Sequence, residues 1–437
     1  MKTINVMMAS LAALLMAGCS QNEVTEVSPD AHPQMKFGVY TGTPTRGVDT
    51  DNTSMKDDPA TVGKYGGFGI MGYYTGSKSW TDALKEYTDN PTTVTTPAPG
   101  FMHNQMVKWD GTLNSNAGGW TYSPVKYWPN NSSDKISFFA YAPYEEKWES
   151  GDKTGVTVCG PTTAGIPYVK FKIKEGDELP NMVDLVVANA LDRDYTNSKN
   201  GVTFKFDHTL SRISFKAKLG EGEYTSLDGT DGFVLITEMW IVGSDHSASG
   251  NMSLIDASAA SNANSKFYTT ATWKELHWNY KTDGAAPEAV IPTADFSLKS
   301  MLKAEEFTES NPIKNHDVTV KGVKITNASK TTPVSLFPDK QYLYLIPVGD
   351  KEADAAKSGC KEGDIWFGFH YDILTPDKAN SGKYIASHAE SVVKIPAGHL
   401  KRQKTYQYTL TINLHEIKIE SAEVNPWGTE VTESPVE

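Results

Sequence analysis

The residues of this chain with the most distinctive chemistry are its three cysteines, and one of them stands in a telling place. Cys19 follows the small pair Ala17-Gly18, with a positive charge at Lys2 and an apolar run from Val6 to Met16 ahead of it. That run is shorter than the roughly 20 apolar residues a mature transmembrane helix needs. Charge, apolar stretch and small residues together read as an export leader. A thiol directly after the cut suits transfer of a diacylglycerol to sulfur, so Cys19 is expected to carry a lipid. An ordinary leader with a chance cysteine is the alternative. Residues 1–18 then form a lipoprotein signal peptide, and 19–33 form a polar tether. Cys159 and Cys360 are far apart in sequence, and no cysteine pair has zinc-ligand spacing.

Other reactive side chains fail to assemble into a constellation. His415-Glu416 opens like a helical metalloprotease motif, but Ile419 occupies the position of the second histidine. Asp192, Asp194, Thr196 and Asn197 have a calcium-loop spacing without the central glycine or the closing glutamate, so a turn that needs no ion is the preferred reading. Gly63–Gly69 lacks the Lys-Ser/Thr of a phosphate loop, and no Gly-x-Ser-x-Gly elbow occurs. The acidic pairs Glu145-Glu146 and Glu305-Glu306 are adjacent in sequence, which says nothing of two carboxylates across a cleft. Neither an enzyme nor a cofactor is expected. Two aromatic clusters, Trp120, Tyr122, Tyr127 and Trp128, and Trp273, Trp278 and Tyr280, have the rings to stack on sugars. The same rings fill sandwich cores, which is the favoured expectation.

The elements that would position these residues are strands. The 437 residues suggest two or three domains, and 39% hydrophobic content is enough to pack them. A net charge of −12 excludes a nucleic-acid binder held by bulk electrostatics. Val202, Phe204 and Phe206 alternate with Thr203, Lys205 and Asp207, and Ile213, Phe215, Ala217 and Leu219 alternate with Ser214, Lys216 and Lys218. Such strands have one dry face and one wet face. Gln341–Pro347 is apolar on both faces and reads as a central strand. In the C-terminal run the apolar phase jumps between Leu414 and Ile417, which requires a bulge or a break near Leu414–Glu416. Ala294–Phe307 alone offers a short amphipathic helix. Turn-rich segments such as Pro91–Gly100, Leu113–Gly119 and Asp228–Gly232 separate the strands, which argues for all-β sandwiches. A boundary near Asn197–Gly201 gives an N-terminal domain over 34–200 and a C-terminal domain over 201–437.

Several of these segments together resemble a known family. The leader with Cys19, Trp120–Pro129, Lys135–Pro143, Val183–Ala188, Val202–Ala217, Tyr342–Pro347 and the run from Tyr406 to Trp427 are similar, in order, to fimbrillin-like proteins, the type V pilin superfamily of Bacteroidales. The resemblance implies two tandem transthyretin-like antiparallel β-sandwich domains in a structural or adhesive pilus (fimbria) subunit. It implies an outer-membrane lipoprotein held through the Cys19 lipid. It also implies a trypsin-like protease that cuts after an arginine near the first strand, opening a groove that other pilin subunits fill by β-strand addition (donor-strand exchange). The chain has four arginines: Arg46, Arg193, Arg212 and Arg402. Arg46, followed by Gly47, sits just after the candidate first strand Met35–Gly42 in a Thr/Pro/Gly context, where a processing site would belong. A solvated loop arginine is the plainer alternative. The runner-up function is a permanently anchored lipoprotein that binds host or bacterial surface glycans or proteins through exposed Trp and Tyr.

Overall fold

The computed structural model describes residues 34–40, 50–51, 53–58, 66–173, 176–220, 232–242, 255–256, 270–271, 275–279, 296–307, 313–314, 320–346, 365–379, 384–395, 399–400, 403–413 and 417–426. Strands dominate it. The first half builds β1 (Phe37–Tyr40), β2 (Phe68–Gly76), β3 (Met102–Asp110), β4 (Gly119–Thr121) and β5 (Lys135–Ala142). It continues with β6 (Val156–Val158), β7 (Tyr168–Lys172), β8 (Val186–Arg193), β9 (Val202–Lys205) and β10 (Asp207–His208). Six of these form one antiparallel sheet in the order β10-β8-β5-β2-β3-β4.

β5 explains how that sheet is covered. Ile136, Phe138, Ala140 and Ala142 enter one core, while Phe139 and Tyr141 enter another. A strand apolar on both faces must be shielded on both. Phe37 of β1 and Phe204 of β9 close the first face. The second face packs against the β6–β7 pair and the helix α1 (Trp80–Asp89). The side chain of Ser79 caps α1 by accepting the Asp82 N–H at 3.1 Å, and Trp80, Ala83 and Leu84 form its buried stripe.

The second half contains β11 (Ser211–Leu219), β12 (Phe233–Val242), β13 (Glu275–Asn279) and β14 (Val320–Ile325). After them come β15 (Ile365–Pro376), β16 (Tyr384–Ile395), β17 (Lys404–Ile412) and β18 (Ile417–Pro426). β14, β12, β15 and β16 are successive antiparallel neighbours in one sheet. In a second sheet β11 pairs with β17 in parallel, and β17 pairs with β18 antiparallel. Their facing sides form an aromatic centre in which Phe215 lies 4.9 Å from Phe367 and 5.5 Å from Tyr408, ring to ring.

The alternation holds at β9, where Val202 and Phe204 are buried and Thr203 and Lys205 are exposed. On β11, Ile213, Phe215, Ala217 and Leu219 are buried, but so are Ser211, Arg212 and Ser214. β17 flanks one side of β11, and Val334–Ser335 and Leu343–Leu345 flank the other. Of the segment expected to be a central strand, Gln341–Pro347, the strand residues are Leu343–Leu345, which among the described residues pair with β11 alone; Pro347 lies outside the described residues. Leu343–Leu345 is buried on both faces as its residues demand. The described part of Ala294–Phe307, residues 296–307, contains no α-helix. Phe296–Ser297 pairs with β12, a single 3-10 turn covers Lys299–Met301, and Glu305–Phe307 pairs with β14. Its apolar spacing is met by Leu298, Met301 and Leu302 burying in an irregular crossing. The bulge or break expected near Leu414–Glu416 lies outside the described residues; the flanking strands β17 and β18 pair antiparallel.

Position 200 does not separate the pairings. β9 pairs with β1, β10 pairs with β8, and β13 pairs with β7 over five positions. One apolar cluster includes Phe139 and Tyr141 together with Phe215 and Tyr408, whereas the other is confined to Met35–Phe206.

Candidate functional site

The lipidation and processing residues expected from the sequence, Cys19, Arg46 and Gly47, lie outside the described residues. What the structure does place is the strand between them. β1 forms a two-stranded parallel pair with β9, in register from Phe37 opposite Val202 to Tyr40 opposite Lys205. On its other side, Gln34 bridges to Tyr127, and the Met35 N–H donates to Lys126 O at 2.9 Å. The segment is thus held at Gln34 and Met35 by residues 126–127 and along β1 by β9.

Side chains decide how firmly it is held. Met35 is fully buried and Phe37 nearly so, while Lys36 between them is exposed. The Phe37 ring lies 5.2 Å from Tyr122, 5.3 Å from Phe138 and 6.0 Å from Phe204. Burial of such a side chain contributes roughly 1.5–3 kcal/mol, and well-placed aromatic neighbours add about 0.5–1.5 kcal/mol per pair. The Tyr122 hydroxyl lies within donating distance of Met35 O (3.0 Å) and Lys126 O (3.2 Å). Burial pushes its pKa up to about 12, so it is a neutral donor throughout the physiological range. At the mouth of the slot, the Val202 N–H donates to Lys36 O at 2.8 Å. Gly201 takes φ +110° there, and a Cβ on it would sit 3.2 Å from the same oxygen. Withdrawal of residues 34–40 would therefore leave free backbone groups along β9 and at Lys126 and Tyr127, over an apolar floor of Tyr122, Phe138 and Phe204.

The opposite end of the chain behaves differently. β18 pairs with β17 from Ile417 opposite Ile412 to Pro426 opposite Lys404, with a register shift at Thr409/Leu410. It is an outer strand of its sheet, and Val424 is 46% exposed.

Other candidates resolve into structural roles. Tyr122 and Trp128 are buried in the same core as Phe37, and Trp120 packs against it. Trp109, paired with Trp120 at 5.4 Å, carries the Lys56 ammonium over its ring at 4.3 Å and backs onto Gly118. Trp273 and Tyr280, like His415 and Glu416, lie outside the described residues, as does the side chain of Trp278. Asp192 accepts the Trp80 N–H at 2.7 Å, and Asp194 caps the single turn Tyr195–Ser198 in a reciprocal bond with Asn197. The supposed ion loop is thus a helix start and a turn. Among the described residues no group of three His, Cys, Asp or Glu side chains could hold a metal ion. Glu145 is buried and binds the N–H groups of Lys153 (2.7 Å) and Thr154 (2.8 Å), which closes its own loop. The Cys159 thiol is buried against Tyr73 and Met71, and burial pushes its pKa up. Sequence reasoning missed Tyr122 as a strand clamp, since a tyrosine in an aromatic run carries no sign of the backbone it will meet.

A family model described as fimbrillin-like matches residues 77–362. Fimbrium subunit Fim1C of Phocaeicola vulgatus is 30% identical over 415 residues, which covers 94% of this chain and 92% of that one. The crystal structure of a fimbrial protein from Bacteroides vulgatus shares the fold, with a TM-score of 0.63 at 22% identity over 90% of this chain and 99% of that one. An all-β chain with a short first strand plugging an aromatic slot, matched over most of its length by these relatives, belongs to the fimbrillin-like family.

Proposed function

We propose that the chain is a structural and adhesive subunit of a cell-surface fimbria, non-enzymatic, assembled by exchange of its first strand. It is exported to the outer membrane as a lipoprotein through Cys19, and a trypsin-like protease cuts after Arg46. β1 then leaves with the lipidated piece, and a strand from another subunit takes its slot. The single observation that carries this reading is the seat of β1. The strand is short and parallel, sits at an edge, and is held chiefly by Met35 and Phe37 over an aromatic floor. Removal of two such side chains forfeits roughly 3–6 kcal/mol, and each lost backbone bond adds about 1 kcal/mol. An incoming strand with apolar residues at alternate positions restores both, so exchange is close to balanced once the covalent link is cut.

The tandem transthyretin-like arrangement belongs to the same proposal. We set the proposed division between His208 and Ser211 rather than at 200, because β9 and β10 pair within the first half, while β13 reaches back across it to β7. Glycan binding has less support, since the half-buried Trp109 and Trp120 are packed by Lys56, Gly118 and Phe68. N-terminal sequencing of surface-sheared protein tests the reading. A start at Gly47 is expected; a start only at lipidated Cys19, with no filaments, contradicts it.

A further inference from the structure

A buried carboxylate that plays no part in seating β1 lies where the chain re-enters the fold. Asp184 is 1% exposed, in the apolar stretch between Val183 and Leu185. Its Oδ2 accepts the Thr50 N–H at 2.9 Å and a bond from His208 Nδ1 at 2.8 Å, while Oδ1 has no hydrogen-bond partner. The Thr50 hydroxyl donates to the Asp184 carbonyl oxygen at 2.6 Å. Thr50 is itself 5% exposed. The chain next folds over Asp51, whose Oδ1 takes the N–H groups of Thr53 (2.7 Å) and Ser54 (2.8 Å), and Met55 enters the core fully buried. On the far side of the pair, His208 belongs to β10, two residues beyond β9, which holds β1.

We infer that Asp184 is a positioning residue that fixes Thr50 as the first anchored residue of the processed subunit, three residues after its start at Gly47. The inference rests on the reading that β1 leaves after a cut downstream of it. Thr50 carries two bonds to Asp184 from two different atoms, and both are out of water. A buried carboxylate stripped of a partner is strongly disfavoured, so this attachment survives when β1, held at an edge, does not. The attachment thereby marks where the retained chain becomes anchored, whatever short stretch ahead of Thr50 the cut leaves behind. It also confines a productive cut to the segment between Tyr40 and Thr50. Because His208 and Thr50 meet on one oxygen, the strand pair that borders the slot keeps its position after β1 has gone, and the slot stays open for a new strand.

The test replaces residues 43–48 of the full chain by a site for a sequence-specific protease, so that the cut is supplied whatever happens at Arg46. Hydrogen exchange is followed by mass spectrometry before and after cleavage and removal of the N-terminal piece. The expected result is that amides of 50–56 keep their protection after β1 leaves. Asp184→Ala should lose at least about tenfold of that protection, with exchange in β5 unchanged. Asp184→Asn, which keeps an acceptor oxygen for the Thr50 N–H, should recover most of it. Should Asp184→Ala fail to fold, Thr50→Val removes one of the two bonds and is expected to lose about fivefold. Exposure of 50–56 in the unmodified chain as soon as β1 departs would overturn the inference, as would equal protection in the alanine or valine variant. If Arg46 proves uncut in cells while these results hold, the processing site is wrong and the positioning role stands.

Discussion

β1 and β18, the first and last strands of the fold, are both edge strands, yet they are secured by opposite means. β1 covers four residues and pairs in parallel with an equally short partner, so its backbone bonds are few. Its hold comes from Met35 and Phe37 dropping into an aromatic pocket. β18 covers ten residues and runs antiparallel along nearly the whole of β17. Its hold is distributed along the ladder, and its Val424 faces solvent. A strand secured by a pocket can be replaced by any strand that fills the pocket. A strand secured by a long ladder has to be peeled bond by bond. The contrast supports the proposal that β1 is the exchangeable strand and that β18 stays in its own sheet.

The sharpest way to break that contrast is to empty the pocket. Phe37→Ala should remove about 3 kcal/mol of β1 docking, the low end for a buried phenylalanine because the strand is an edge. Hydrogen exchange in β1 should then rise on the order of a hundredfold, with β18 unaffected. A rise shared by β18 would mean that the two regions are one cooperative unit.

On the other side, Ile417→Ala truncates the buried first residue of β18 and should cost about 2 kcal/mol. Val424→Ala, at a half-exposed position, should stay within about 0.5 kcal/mol. Denaturant midpoints measure both. Neither should alter protection in β1, and a change there would join what the comparison separates.

Tyr122→Phe is the smallest perturbation. It deletes the donor to Met35 O and should loosen the start of β1 about fivefold to tenfold in exchange, equivalent to about 1 kcal/mol. The same hydroxyl sets an alkaline limit. Its pKa is raised to about 12 in the fold, against about 10 for a tyrosine in the unfolded chain. A raised value means that its contribution is complete below pH ~10 and declines as pH climbs from ~10 towards ~12. Titration of β1 exchange in the unmodified protein and in Tyr122→Phe should converge over that window.

Much of this architecture could be read from residue order, and the parts that could not share a cause. Alternation exposed β9 and the inward face of β11 because one side of each meets water or a polar neighbour. Gln341–Pro347 misled because burial on both faces does not require a central place; a short edge strand beneath other chain has the same composition. Ala294–Phe307 has helical spacing, but Leu298, Met301 and Leu302 satisfy it by crossing between two strand pairings. α1 was overlooked although Ser79 and Asp82 mark its start and Trp80, Ala83 and Leu84 its stripe, because its polar residues resemble those of the adjoining turns. The seat of β1 was the least legible. That strand lies more than 160 residues from β9 in sequence, and a parallel register between remote segments leaves no local signature. The expectation of a first strand near Met35–Gly42 was sound, but its partner and its pocket required the fold.

The central claim is that β1 must leave its slot for the subunit to join another. Gly38 and Thr203 are register partners, and a Cβ at Gly38 would lie 3.9 Å from the Thr203 hydroxyl oxygen. Gly38→Cys with Thr203→Cys should therefore permit a disulfide that ties β1 to β9 without moving either strand. The measurement is filament formation by this double variant after cleavage, with and without a reductant. The account predicts that the oxidised protein is cut yet stays monomeric, and that reduction restores assembly to the level of the unmodified chain. Equal assembly with the disulfide intact would contradict it.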